Sequence, residues 1–170
     1  IYAINDNNTA FSLIRAKASG AEANIDIETK GNLALGTVES RGNNVKLTAA
    51  SKITDARTQD QKNLKTPNVR SKSLDLKAGN GVDDLLLDVN FISAAGGTGE
   101  VKATNQGAVS LDRASLENKS VSIKATEIYV IDLDGTVNLA PAGTINLEAT
   151  DGNIVFLDPT NTLVMGSGNI

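Results

Sequence analysis

The chain has 170 residues with 16 basic and 20 acidic side chains, which gives a formal net charge of −4. This acidic balance argues against nucleic acid as a partner, because neutralising phosphates requires a basic field. Cys and His are both absent, which excludes disulfides, thiolate metal sites, His-ligated zinc and catalysis by Ser-His-Asp or Cys-His groups.

Apolar residues alternate with polar or small ones along most of the chain, beginning near Ile25. Aromatic residues make up only 3% of the chain, so the core must be built from Val, Ile, Leu and Ala. A period of two is typical of short strands with one buried face, and Gly or Asn between strands serves as a corner. The apolar pairs include Ile25/Ile27, Leu33/Leu35, Val45/Leu47, Leu74/Leu76, Val109/Leu111, Val121/Ile123, Val137/Leu139 and Ile145/Leu147. No stretch requires a helix, and no apolar run approaches the roughly 20 residues of a membrane span.

The first apolar residues of successive strands recur at regular intervals. Ile25, Leu33, Val45 and Ile53 are separated by 8, 12 and 8 residues, and Val101, Val109, Val121 and Ile128 by 8, 12 and 7. An offset of 76 residues aligns the two series. A step of 8 and a step of 12 give a coil of about 20 residues, as in solenoids. Such corners also suit a β-sandwich, but the short strands repeating at one phase favour a parallel β-solenoid of roughly eight coils, about 40 Å long.

The alternation lapses near residues 55–72, where few apolar residues occur. Five basic side chains face two acidic ones there: Arg57, Lys62, Lys65, Arg70 and Lys72 against Asp55 and Asp60. We expect one polar insertion that protrudes from the coil, with Val69 returning to the core. A solvated loop is favoured over a docking site for an acidic glycan, an anionic surface or a neighbouring rod, although long excursions from regular scaffolds often carry function.

The last part of the chain repeats one short phrase as GTVNL, GTINL and GNIVF, residues 135–156. We expect Val137, Leu139, Ile145, Leu147, Ile154 and Phe156 to point inward. The steps of 8 and 9 residues predict a coil that narrows toward the carboxyl end. Because Ile1 comes first and GSGNI resembles the opening of another unit, residues 1–170 are interpreted as one solenoid segment of a longer repetitive chain.

The segments GNLALGTVESRGNNVKLTAASKITDA, SLDLKAGNGV and GAVSLDRASLENKSVSIKA resemble the repeats of filamentous-haemagglutinin-like secreted bacterial exoproteins. The matching positions are Gly31, Leu33, Leu35, Val38, Gly42, Val45, Leu47, Ala49, Ile53 and Asp55. The resemblance implies a right-handed parallel β-helix that forms the shaft of a surface or secreted adhesin. It carries no catalytic residues.

Calcium is the one cofactor that the sequence brings into question. AGNGVDDLLLD and GGTGEVKA each resemble part of a calcium-binding nonapeptide, with Asp83, Asp84 and Glu100 as candidate ligands. Intact tandem copies, which supply the six or more oxygen ligands of calcium, are missing, so a structural corner is favoured. The same interpretation is preferred for Asp132-Leu133-Asp134-Gly135, which lacks the spacing of an EF-hand.

Outward carboxylates also raise the alternative of a glycan-cleaving β-helix, which needs two of them at a set distance. The candidates are Asp26, Glu28, Asp83, Asp84, Asp88, Asp132 and Asp134. Such side chains also keep a rod soluble, and few aromatic rings are present to stack on sugars. We therefore expect no enzyme, no catalytic residue and no bound cofactor.

The expected function is a structural or adhesive shaft segment of a large extracellular bacterial surface protein. The alternatives are a subunit that polymerises end to end into a fibre or surface layer, and a glycan-binding or glycan-cleaving β-helix. Expected partners are further coils of the same chain or like subunits at the open ends, a surface glycan or a receptor on another cell.

Overall fold

A computed structural model describes residues 1–7, 9–20, 23–112, 115, 120–131 and 144–157. In these residues the chain forms a parallel β-solenoid of about six turns, with stacked positions about 20 residues apart. This confirms the all-β solenoid that the alternation and the spacing predict. All of the described strands belong to one continuous sheet wound into the coil.

Thirteen strands and one short helix follow one another in this part of the chain. The strands are β1 (Tyr2–Asn5), β2 (Phe11–Ala18), β3 (Ile25–Thr29), β4 (Leu33–Ala49), β5 (Ile53–Asp55), β6 (Val69–Ala78), β7 (Val82–Ala95), β8 (Glu100–Asn105), β9 (Val109–Asp112), β10 (Ser120–Ala125), β11 (Ile128–Ile131), β12 (Ile145–Ala149) and β13 (Ile154–Phe156). Helix α1 (Gln59–Asn63) lies between β5 and β6.

The coil has three faces, each a stack of parallel strand segments. Face A contains β1, β3, residues 45–49, residues 74–78, the end of β7, and then β9, β11 and β13. Face B contains the starts of β2, β4 and β7 together with β5, β8, β10 and β12. Face C is shorter and contains residues 15–18, 37–40, 69–71 and 87–89. The long strands β4 and β7 therefore bend around corners and serve more than one face.

Aliphatic side chains form two continuous columns inside the coil. On face A the paired residues run Ile25, Val45, Leu74, Ile92, Leu111, Val130 and Phe156. On face B they run Phe11, Leu33, Ile53, Val82, Val101, Val121 and Ile145. Most are fully buried, so each coil covers the apolar surface of the one before it and the hydrophobic effect favours the stack.

The internal repeat of 76 residues does not return the chain to the same face. Ile25 lies on face A, whereas Val101 lies on face B, stacked on Val82 and Val121. The alignment therefore maps one face onto the other, and the longer arc of the coil changes side. Stacked residues are 18 apart at Val69/Leu87 and 31 apart at Val38/Val69, so the coils vary in length and about six turns replace the eight expected.

The polar insertion is confirmed, with narrower limits than 55–72. Asp55 ends β5, and Val69 is fully buried where it begins β6, as expected for its return to the core. The excursion contains helix α1, which the alternation did not require. Thr58 caps this helix with a capping box: its hydroxyl accepts from the Gln61 amide, and the Gln61 side chain accepts from the Thr58 amide.

The carboxyl-terminal coil differs from expectation. Ile154 and Phe156 stack on Ile128 and Val130, but they are 40% and 38% exposed because within the described residues no further coil covers their other side. Stacked residues here are 24 and 26 apart, so the coil does not shorten toward the carboxyl end. The expected inward Val137 and Leu139 lie outside the described residues.

Candidate binding surface

A buried polar cluster joins the insertion to the coil. Asp55 occupies the inward position of face B that Leu35 occupies one coil earlier, and its side chain is 13% exposed. Arg57, 8% exposed, grips it with both ends of the guanidinium, Nε to Oδ1 and one terminal nitrogen to Oδ2, each at 2.9 Å. Asn68 donates from Nδ2 to Asp55 Oδ1 at 2.7 Å. Two residues on opposite sides of the excursion thus meet at one carboxylate.

Further hydrogen bonds complete this cluster. The other terminal nitrogen of Arg57 donates to the Thr66 carbonyl at 2.8 Å, and Asn68 Oδ1 accepts from the Leu86 amide at 2.9 Å. Burial by itself raises the pKa of Asp55, but the hydrogen bonds from Arg57 and Asn68 and the positive charge of Arg57 more than offset it. The pKa of Asp55 therefore lies well below its usual range, and the carboxylate stays ionised.

The sequence carried a signal for this cluster that the spacing argument did not use. In Ile53-Thr54-Asp55 the alternation places Asp55 at an inward position, where the preceding coil has Leu35. An acidic residue at an apolar position of a repeat calls for a buried partner. The identity of those partners, Arg57 and Asn68, follows only from the path of the insertion.

Three adjoining clefts form one lateral groove along face C. The first, about 270 Å³, lies between the coil and the insertion and includes Arg15, Gln61 and Thr66. The other two have volumes of about 320 and 260 Å³. Neighbouring clefts share lining residues, so they are continuous. The charged residues that define this lateral groove are Arg15, Lys17, Glu39, Arg41, Arg70, Lys72 and Asp88.

Charges of alternating sign stack along the lateral groove. Lys17 pairs in register with Glu39, Glu39 with Arg70, and Arg70 with Asp88. The Lys17 ammonium lies 3.8 Å from Glu39, and Arg70 Nε lies 2.6 Å from Asp88 Oδ2. Glu39 also pairs with Arg41. With five basic and two acidic side chains, the groove has a net charge of +3 on a chain whose total is −4.

The calcium candidates lie at and beside a corner where glycines of successive coils touch. Asp83 pairs with Lys52 at 2.7 Å, Asp84 with Lys102 at 3.8 Å, and Glu100 is exposed. No group of three or more acidic side chains that could hold a metal ion occurs in the described part of the chain. A Cβ on Gly97 would lie 2.2 Å from the Gly79 carbonyl oxygen, so close backbone packing accounts for these glycines. Asp132 and Asp134 lie outside the described residues.

The other candidate carboxylates are dispersed along the rod. Asp88 pairs with Arg70, and Asp26 lies 4.0 Å from the ammonium of Lys46. Asp75 lies opposite Lys46 on the same outward column, and its pKa is raised, chiefly because neighbouring protein atoms displace water from it. Each partly exposed ion pair contributes little to stability.

The only helix among the described residues, α1, has five residues, and none has the length and apolarity that a bilayer crossing requires.

No protein-family model matches this chain, no curated protein matches it, and no solved structure matches it. The resemblance to filamentous-haemagglutinin-like repeats therefore stays a prediction from the repeat pattern, and the functional conclusion is drawn from the geometry of the solenoid itself.

Proposed function

We propose that this chain is a structural and adhesive shaft segment of a large extracellular bacterial surface protein, and that it has no catalytic activity. The observation that carries the proposal is the pair of uninterrupted aliphatic columns on faces A and B. Every internal coil is buried by the coils on both sides, so the chain resists bending as one stack.

The exterior supports the same proposal. Outward positions carry ion pairs between neighbouring coils, such as Lys52–Asp83, Lys102–Asp84 and Lys124–Glu148. Paired charges of this kind suit a solvated spacer, whereas a hydrolase needs carboxylates that converge on one substrate bond. A shaft holds other parts of a protein at a fixed distance, and that role requires a uniform stack with a soluble surface.

The length and stiffness of the stack provide the first test. An outward column runs through Asn44, Ser73, Phe91, Ser110, Tyr129 and Val155, which are five strand pairings apart. Because the chain has no Cys, spin labels are directed uniquely by Asn44→Cys and Val155→Cys. We expect one narrow distance distribution in electron double resonance, centred near 24 Å plus the label arms. A broad distribution would contradict a stiff shaft.

The location is tested separately on cells that produce the full-length protein. Antibodies against the purified segment are expected to label intact cells as strongly as permeabilised ones. A matched antibody against a cytoplasmic protein serves as the control and labels only after permeabilisation. Labelling by the segment antibody only after permeabilisation would overturn the extracellular assignment while leaving the solenoid architecture intact.

Self-assembly end to end is the second candidate function, and the first coil favours it. Strand β2 pairs only with β4 among the described strands, and Ile14 on β2 is 78% exposed, with Tyr2 67% exposed on β1. An unpaired edge with apolar side chains is a template for another strand. Filaments that lengthen with protein concentration in electron micrographs would support this role, and Ile14→Lys is expected to suppress them. A segment that stays monomeric at all concentrations would argue for the shaft alone.

A further inference from the structure

The lateral groove on face C has the geometry of an extended binding track. Its charged residues come from four strands that are stacked in successive coils: β2, β4, β6 and β7. At about 4.8 Å per coil the track is roughly 14 Å long, the length of four or five extended residues. It is formed by three open, connected clefts rather than by one enclosed cavity. The shape therefore suits a linear ligand better than a compact small molecule.

The wall of the groove is fixed before any ligand arrives. Gln61 and Thr66 of the insertion line the first cleft, and the buried Asp55–Arg57–Asn68 cluster holds the insertion against the coil. Gln106 adds a hydrogen bond from Nε2 to the Lys65 carbonyl at 2.7 Å. A preorganised wall lowers the entropy cost of binding.

The charges of the groove are only partly neutralised within the chain. Glu39 pairs with Lys17 and Arg41, and Asp88 pairs with Arg70. Within the part of the chain that the structure describes, Arg15 and Lys72 form no salt bridge, and both are exposed. The excess positive charge therefore sits near opposite ends of the track, where it attracts an anionic polymer.

The chemistry of the lining selects among anionic polymers. No aromatic ring lines the three clefts, so neither sugar rings nor nucleic-acid bases find a stacking surface. Arginine binds carboxylates through paired N–H donors. Arg15 and Lys17 lie two residues apart on the outer side of β2, about 6.8 Å along the strand, which matches the spacing of alternate side chains in an extended peptide.

We propose that the lateral groove binds an extended, Asp- or Glu-rich polypeptide segment of another protein. The occupant lies beside the rod, so this proposal does not depend on the stacking of its ends or on the shaft role. Failure of the distance or cell-labelling experiments leaves it untouched, and its own failure leaves the shaft proposal intact.

A fluorescent deca-glutamate peptide is the probe, with deca-glutamine as its uncharged control, and binding is measured by fluorescence anisotropy at low salt. We expect saturable binding of deca-glutamate alone. The double variant Arg15→Gln/Lys72→Gln is expected to bind about tenfold more weakly, because both uncompensated charges are lost. The control double variant Lys77→Gln/Lys102→Gln makes the same change in net charge on faces A and B and is expected to stay within about twofold of the wild type.

Zero-length carbodiimide cross-linking gives a second measurement that does not depend on the variants. Carboxylates of the bound peptide are expected to couple to Lys17 and Lys72 in preference to Lys77 and Lys102, which mass spectrometry of the digested complex identifies. Absence of saturable binding, equal losses in the two double variants, or cross-links spread evenly over the rod would each overturn the proposal. Tighter binding of a sulfated polysaccharide, a polyuronate or an oligonucleotide than of deca-glutamate would overturn the choice of a polypeptide.

Discussion

Removal of the Asp55 carboxylate is the most informative single perturbation of this fold. In Asp55→Ala the guanidinium of Arg57, 8% exposed, loses both hydrogen bonds to the carboxylate, and Asn68 loses one. Breaking a buried ion pair from one side costs about 3–5 kcal/mol, since the remaining charge stays buried without a partner. Against a total stability of about 5–15 kcal/mol for a domain, such a loss is large. We expect a lowered urea midpoint in circular dichroism.

The dependence of this effect on pH follows from the lowered pKa of Asp55. A carboxyl group whose folded pKa lies below its unfolded value of about 3.9 stabilises the fold at pH values above that range. The contribution is lost as the pH falls through the folded pKa. The difference in unfolding free energy between wild type and Asp55→Ala is therefore constant above about pH 5 and shrinks progressively toward pH 2.

Asp83→Ala is the matched control, because Asp83 is 52% exposed and pairs with Lys52 at 2.7 Å. An exposed pair of this kind contributes under about 1 kcal/mol. A double-mutant cycle with Arg57→Ala isolates the coupling, and the double variant should be less destabilised than the sum of the two single variants. A loss below about 0.5 kcal/mol for Asp55→Ala at neutral pH, or a difference unchanged between pH 7 and pH 2, would refute the electrostatic account.

Three further predictions concern the stack and its corners. Deletion of residues 69–86, one coil by the register Val69↔Leu87, should leave a cooperatively folded rod that is shorter by about 4.8 Å between spin labels on either side of the cut. Gly97→Ala should lower the stability by more than about 1 kcal/mol, because Gly97 has φ of 57° and its new Cβ would overlap the Gly79 carbonyl, whereas Thr98→Ala should be nearly neutral. Millimolar calcium or a chelator should leave the thermal midpoint unchanged, and a calcium-dependent rise would revive a metal site at Asp83, Asp84 and Glu100.

Asp55 and Asn68 illustrate the limit of sequence-based prediction for this protein. The inward phase of Asp55 is visible in Ile53-Thr54-Asp55, since alternation is a local property. Its contact with Asn68, 13 residues later, depends on how the insertion folds and returns. Likewise, the ladder Lys17–Glu39–Arg70–Asp88 joins residues from four coils, and no local pattern places them in line.

The sequence by itself determined that short strands alternate with Gly and Asn corners, that stacked positions recur about every 20 residues, and that Val69 returns to the core after a polar excursion. These features depend on side-chain alternation and on local corner chemistry, which act over a few residues. Only the tertiary structure decided that the 76-residue repeat maps face A onto face B, where the ion pairs form and where the lateral groove lies. The register between coils is selected by the free energy of the whole stack, and every contact between distant residues depends on that register.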